Sequence, residues 1–155
     1  MAGTNVNHVS VVARNLAVSV TFYSELFSAE PLSTPNFGFP VQWLRIGRAQ
    51  LHVFERGEEA PLYHHFGVTV DDFERVYRLA ERLDVHDRHT FGHHLYELPN
   101  DIAQLYIRDP AGNLVEVDSP NASLLPADIA RVMRRLGDDH VQSDENLRAT
   151  LFLSS

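Results

Sequence analysis

Polar and apolar residues alternate along two short stretches, HVSVVARN (8–15) and HFGVTVDD (65–72). Each opens on a histidine and reaches a helix-capping residue seven positions later, Asn15 or Asp72. A period of two predicts a strand with one buried face. The period then lengthens. Leu16, Val20, Tyr23 and Phe27 recur at helical spacing after the first stretch. Phe73, Val76, Tyr77, Ala80 and Leu83 form an apolar stripe after the second, where Asp71 and Glu74 fit a capping box. The chain thus predicts a strand and a helix twice over, 57 residues apart. Two copies make a duplication, too few for a solenoid.

Further strands follow each helix. In the first half they are VQWLRIG (41–47) and AQLHVFE (49–55); in the second, HHLYEL (93–98), IAQLYIR (102–108) and NLVEVD (113–118). Gly47, PND and DPAG mark the turns. The order is β-α-β-β-β in each half. Beyond Pro120 the composition changes. Pro126 stands near a helix start, Ile129, Val132, Met133 and Leu136 share one face, and Gly137 is a stop. The predicted fold class is α+β: one domain over residues 1–119 made of two modules (about 5–57 and 62–119), with a C-terminal helical extension at 120–155.

Alternation also assigns faces. Val9 and Val11 oppose His8 and Ser10; Leu51 and Val53 oppose Gln50 and His52. Phe66, Val68 and Val70 oppose His65, Gly67 and Thr69; Val115 and Val117 oppose Glu116. The apolar sets can pack under the helices. His8, His52, His65 and Glu116 then share the opposite face, and curved sheets would gather them in one concavity. His64 takes the other side of its strand and is expected to do no chemistry. Two histidines and a carboxylate with open positions form the facial triad of non-haem Fe(II), a set that His8, His65 and Glu116 supply. His52 is either a fourth ligand or an acid–base group. The plain alternative is four polar residues in a wet cleft. PNFGFPVQWL (35–44) offers Phe37, Phe39 and Trp43 as a pocket wall or as core.

Composition narrows the field. The formal net charge of −8 over 155 residues disfavours nucleic acid as a partner. No apolar run is long enough to span a membrane. MAGTNVNHVS shows no signal-peptide pattern, and the chain has no cysteine, so no disulfide, thiolate ligand or cysteine nucleophile is expected. Cytoplasmic residence is the expectation.

These stretches resemble a known family. NHVSVVARNLAVSVTFYSELF, HHFGVTVDD and YIRDPAGNLVEV are similar to the motifs of the vicinal-oxygen-chelate superfamily, which includes glyoxalase I, extradiol dioxygenases and the fosfomycin- and bleomycin-resistance proteins. The resemblance covers residues 5–119. It implies paired β-α-β-β-β modules whose sheets cup a divalent metal, commonly in a homodimer. It places ligands at His8, His65 and Glu116, and, as in glyoxalase I, a fourth at His52. Fe(II) is the favoured metal, with Mn, Ni, Co and Zn as the others. A homodimer would also use the apolar faces near 126–136 and 147–153, which lie outside the modules.

The resemblance leaves the reaction to be chosen, because members share a metal that binds two adjacent substrate oxygens rather than one chemistry. GHH (92–94) and LYIRDPAGNLVE (105–116) resemble the extradiol dioxygenase signature, with Tyr106 and His94 as its catalytic tyrosine and histidine. The interval from His94 to Leu105 is longer than that signature allows. Ring cleavage needs a proton-moving His and a donor to a leaving oxyanion, roles open to His52 and Tyr106. Extradiol-type, oxygen-dependent ring cleavage of a small substrate is the favoured reaction. A glyoxalase I-like isomerisation through an enediolate is the alternative, and Arg45, Arg48 and Arg108 are its candidate carboxylate partners. A metal-free drug-binding module is the third.

Overall fold

The computed structural model describes residues 4–153. The chain divides into two compact units, one formed by the residues up to His64 with Arg108–Leu114, the other by His65–Ile107 with the residues from Val115 onward.

The first unit opens with β1 (His8–Ala13), and α1 (Leu16–Phe27) follows after two residues. Asn15 caps the helix as its spacing predicts, accepting from the Val18 amide at 3.0 Å. The helix ends at Ser28, which takes the left-handed conformation at φ 54°. The buried positions are Ser19, Phe22, Tyr23 and Leu26. That face is turned about one residue from the predicted stripe, since small Ser19 lets the helix approach the sheet where Val20 was expected to. β2 (Glu30–Leu32), β3 (Val41–Ile46) and β4 (Ala49–Glu55) complete a four-stranded sheet in the order β1-β4-β3-β2. β1 runs parallel to β4, and the other pairs are antiparallel. Leu44, Leu51 and Val53 are fully buried, as alternation requires.

The second unit repeats the plan. β5 (His65–Thr69), α2 (Phe73–Arg82), β6 (Leu95–Leu98), β7 (Ile102–Arg108) and β8 (Leu114–Pro120) give the order β5-β8-β7-β6, matching the first sheet strand for strand. α2 buries Phe73, Val76, Tyr77 and Ala80. Its cap is Asp72, as the seven-residue interval from His65 predicts, accepting from the Arg75 amide at 3.0 Å; the Asp71–Glu74 capping box does not form. Glu74 pairs with Arg78 instead, at 3.4 Å. Leu83, expected on the apolar stripe, is the exposed C-cap.

The helix predicted near residues 126–136 is interrupted. α3 (Ala127–Val132) stops where Met133 turns extended at ψ 132°. Arg134–Arg135 then form β9, a parallel strand on the edge of β6, and α4 (Leu136–Asp139) adds one turn. An unpaired edge on β6 offers backbone partners that a third turn of helix would not use. The fold is α+β, with two mixed sheets and a short helical extension, as expected from the sequence. Among the described residues, no helix is long and apolar enough to cross a membrane.

The Asp-Pro-Ala-Gly-Asn turn has a physical explanation within the first unit. The buried Asp109 carboxylate accepts from Tyr23 Oη (2.8 Å), the Ala111 and Asn113 amides (2.9 and 2.8 Å) and Asn113 Nδ2 (2.7 Å). Asn113 Nδ2 also donates to the Val12 carbonyl at 2.7 Å. Gly112 sits at φ 93°, open to glycine and strained for other residues. Asp109→Ala would strip four donors of a buried acceptor. The expected loss is about 3 kcal/mol of stability, seen as a lower urea midpoint with an unchanged slope. A loss under about 0.5 kcal/mol would mean that water replaces the carboxylate.

Candidate metal centre

Strand pairing brings His8 and His52 together in the first unit. Parallel register sets Ser10 opposite His52, and the His8 and His52 rings stack at 4.2 Å with 15° between their planes. Antiparallel register sets Trp43 opposite His52, and those rings stack at 4.3 Å and 7°. His52 is therefore sandwiched and buried. Burial, and secondarily the neighbouring His8, lowers its pKa and keeps the ring neutral, the form that binds metals. Each ring has a carboxamide partner, His52 Nε2 with Gln50 Oε1 at 2.9 Å and His8 Nδ1 with Asn7 Oδ1 at 2.5 Å. Donation to those oxygens fixes the tautomer and leaves the other nitrogen of the neutral His52 ring with its lone pair. Phe37, Phe39 and Phe54 cluster at 6.0–6.4 Å beside Trp43 and His52. Phe37 is 45% exposed, so this cluster is an open wall rather than core.

In the second unit, His65 on β5 and Glu116 on β8 meet at 3.2 Å between Nε2 and Oε2. Gly67 keeps this face open, because a Cβ there would stand 3.2 Å from Asp118 Oδ2 and 3.5 Å from Glu116 Oε1. Asp118 lies two residues beyond Glu116 on the same face. Burial, then the Glu116 carboxylate, pushes its carboxyl up to about 7. Tyr106 is buried and donates to Gln104 Oε1 at 2.7 Å. Burial, then the adjacent Glu116, raises its pKa and keeps the phenol protonated. Its ring and that of Phe91 both meet His65 edge-on, at 6.0 and 5.9 Å.

The donors thus stand in two pairs, one in each unit. Among the described residues, no group of three or more His, Asp or Glu side chains is close enough to hold a metal ion. The second pair nevertheless fits one. A nitrogen and an oxygen each about 2.1 Å from a divalent ion at right angles lie about 3 Å apart, close to the separation of His65 and Glu116. His64 is exposed.

His94 stands elsewhere. Its buried ring stacks on His86 at 4.5 Å, lies 4.6 Å from His93, and places Nε2 3.5 Å from the Tyr77 hydroxyl of α2. Burial first, then His86, His93 and Arg88, pushes its pKa down to about 3 from an ordinary 6.5. Between those values the unfolded chain binds a proton that the folded one refuses. Stability from this group is complete above pH 6.5 and is lost as the pH falls. From pH 7 to 5 the wild type should lose about 2 kcal/mol more than His94→Phe in urea unfolding. Equal losses would show that the ring already protonates in the folded state.

Alternation alone would have found Asp118 and Gln104, two positions from Glu116 and Tyr106 and on their faces. Phe91, in a loop, carries no such signal.

Residues 5–117 match the model of the Glyoxalase/Bleomycin resistance protein/Dioxygenase superfamily. The chain belongs to that superfamily. Solved structures share the fold at low identity. A glyoxalase family protein from Bacillus anthracis is 17% identical, with 77% of this chain and 98% of that one covered and a TM-score of 0.61. For lactoylglutathione lyase from Agrobacterium tumefaciens the values are 23%, 81%, 100% and 0.56. For a fosfomycin resistance protein from Listeria monocytogenes, complexed with Mn(II) and 1S,2S-dihydroxypropylphosphonic acid, they are 15%, 79%, 96% and 0.58. No curated protein matches the chain.

Proposed function

We propose that this superfamily member is a cytoplasmic, divalent-metal-dependent enzyme that binds a small aromatic diol through its two adjacent oxygens and opens the ring with O₂. His8, His65 and Glu116 are the metal ligands, and Fe(II) is the favoured ion. The observation that carries the reading is that both donor pairs are set among aromatic rings: Phe37, Phe39, Trp43 and Phe54 around His52 in one unit, Phe91 and Tyr106 against His65 in the other. A ring-lined site favours a planar aromatic substrate. Two of the cations expected for a glutathione conjugate are engaged by the protein itself: Arg45 pairs with the exposed Glu30, and Arg108 is tied to the Leu62 and Gly112 carbonyls.

When bound, the metal supplies Lewis acidity and a template for two substrate oxygens. The chain's own groups do the rest. Neutral His52 can take a proton from a diol hydroxyl. Tyr106, held protonated, can donate to an oxygen that gains charge. Glu116 and His65 orient the metal, and the aromatic walls exclude water from the ring.

Isomerisation through an enediolate is a second reading, favoured by Asp118, whose carboxyl is poised near neutrality. Elemental analysis of the protein as purified, then oxygen uptake with catechols after anaerobic Fe(II) loading, separates the two. Full metal occupancy without uptake would overturn ring cleavage in favour of the isomerase.

We also propose a homodimer. In the tail, Leu151 and Leu153 line cavities of the second unit while Phe152 is fully exposed. Light scattering on a chain ending at residue 141 should report a shift toward monomer. An unchanged dimer would clear the tail of that role.

A further inference from the structure

β9 extends the second sheet at an edge that neither repeated module fills. Backbone pairing sets Tyr96 beside Arg134 and Glu97 beside Arg135. Side chains fasten the segment: Arg135 Nε to Glu97 Oε2 at 2.9 Å, the His93 ring to the Val132 carbonyl at 2.7 Å, and Arg78 to Asp128 at 2.6 Å. The single turn of α4 begins at the next residue. It brings Leu136, Asp139 and His140 to one side of a cavity of about 280 Å³ whose other side holds Tyr96, Gln104 and Tyr106. Phe91 and Leu98 complete the lining. The Phe91 ring lies 4.5 Å from that of Tyr106, and both rings meet His65. Tyr96 holds the Phe91 loop by donating to its carbonyl at 2.7 Å.

The chemistry of this lining is selective. Three aromatic rings and two leucines, Leu98 and Leu136, offer apolar faces. Two of the polar side chains have partners: Asp139 faces Arg134 at 3.5 Å, and Gln104 lies between Tyr106 and Asp118. The lining holds no lysine or arginine and its one carboxylate is ion-paired, so a charged ligand would lose hydration here for little return. Size sets a second limit. An apolar cavity of about 150 Å³ holds benzene, and pockets for whole ligands begin near 300 Å³. The space therefore suits a one- or two-ring group rather than an entire larger substrate.

We propose that this cavity is a subsite for a neutral, planar aromatic group carried by the substrate, and that Leu136 of the C-terminal extension sets the size it admits. This rests on the reading that the substrate is chelated at the metal held by His65 and Glu116. The subsite gives the extension a role in specificity beside that of the modules.

The test is an NMR titration of the metal-free, full-length chain with 2-naphthol, alongside a Mn(II) titration of the same samples. 2-Naphthol should shift the Tyr96 and Tyr106 ring signals and the Leu136 methyls. Leu136→Trp should weaken binding roughly ten-fold or more, while Leu136→Ala binds at least as tightly as wild type. Leu136 is only half-buried, and Leu136→Phe gives the same readout if the tryptophan variant does not fold. Shifts confined to Ala149 and Leu151, which line a neighbouring cavity, or to the Trp43 indole, would overturn the proposal. So would wild-type 2-naphthol affinity in Leu136→Trp; normal Mn(II) uptake there would leave the metal reading standing. A chain that binds 2-naphthol at Tyr96 but takes up no Mn(II) supports the subsite and overturns the metal reading instead.

Discussion

Glu116→Ala and His65→Ala should each lower divalent-metal affinity by on the order of 10³-fold or more. Loss of a group that only orients a ligand typically costs 10–100-fold, and loss of a ligand itself must exceed that. Their strands bring the two side chains to 3.2 Å, and donors held by paired strands lose little ordering entropy on binding. Metal content after dialysis and competition against a chelator measures the effect. Wild-type stoichiometry and affinity in both variants would remove the site. His64→Ala is the register control. Its side chain is exposed, and the variant should bind metal normally; a loss there would shift the ligand by one residue. Glu116→Gln adds a readout that needs no metal. The Glu116 charge helps hold the Asp118 carboxyl up near 7, so its removal should lower that titration toward the ordinary carboxylate range. An unmoved Asp118 would mean that burial alone holds it there.

What the sequence could reveal followed from period and register. Strand alternation placed His65 and Glu116 on one face, and Val115 and Val117 on the other, because a strand has only two sides. The 57-residue offset of His8 and His65 foretold two sheets of the same strand order. Helix faces were less legible. Their spacing fixes a stripe only to within a residue, and in α1 the small Ser19 decided which turn lies against the sheet. The ring of His94 was beyond reach for a different reason. It stands just before β6, where the strand's alternation does not yet govern its side chain, and packing against Tyr77 and His86 decides its side of the sheet. β9 was hidden because two consecutive arginines carry no strand signal; they pair only because β6 has an open edge. The Asp-Pro-Ala-Gly-Asn turn shows the reverse case. Its residues stood out as a motif, but only the structure shows that Asp109 and Asn113 earn their place by binding Tyr23 and Val12.

His52→Ala separates the two reactions more sharply than any other single change. In the ring-cleavage reading His52 moves a proton and does not hold the metal. The variant should then keep full Fe(II) occupancy and lose turnover by about 10²–10⁴-fold, the usual worth of a positioned acid–base group. In the isomerase reading it is the fourth ligand, and the same substitution should weaken metal binding. The local structure makes the experiment readable. His52 lies between the His8 and Trp43 rings, so an alanine there removes two stacking contacts and frees the His8 ring to move. His52→Phe is the matching control: it restores the stack without a nitrogen. If His52→Ala loses metal while His52→Phe retains it, the ring serves only to position His8. If both retain metal and both lose turnover, proton transfer is its role. If both lose metal, His52 is a ligand. Measuring Fe(II) affinity and oxygen uptake on the two variants together gives each outcome a distinct pattern.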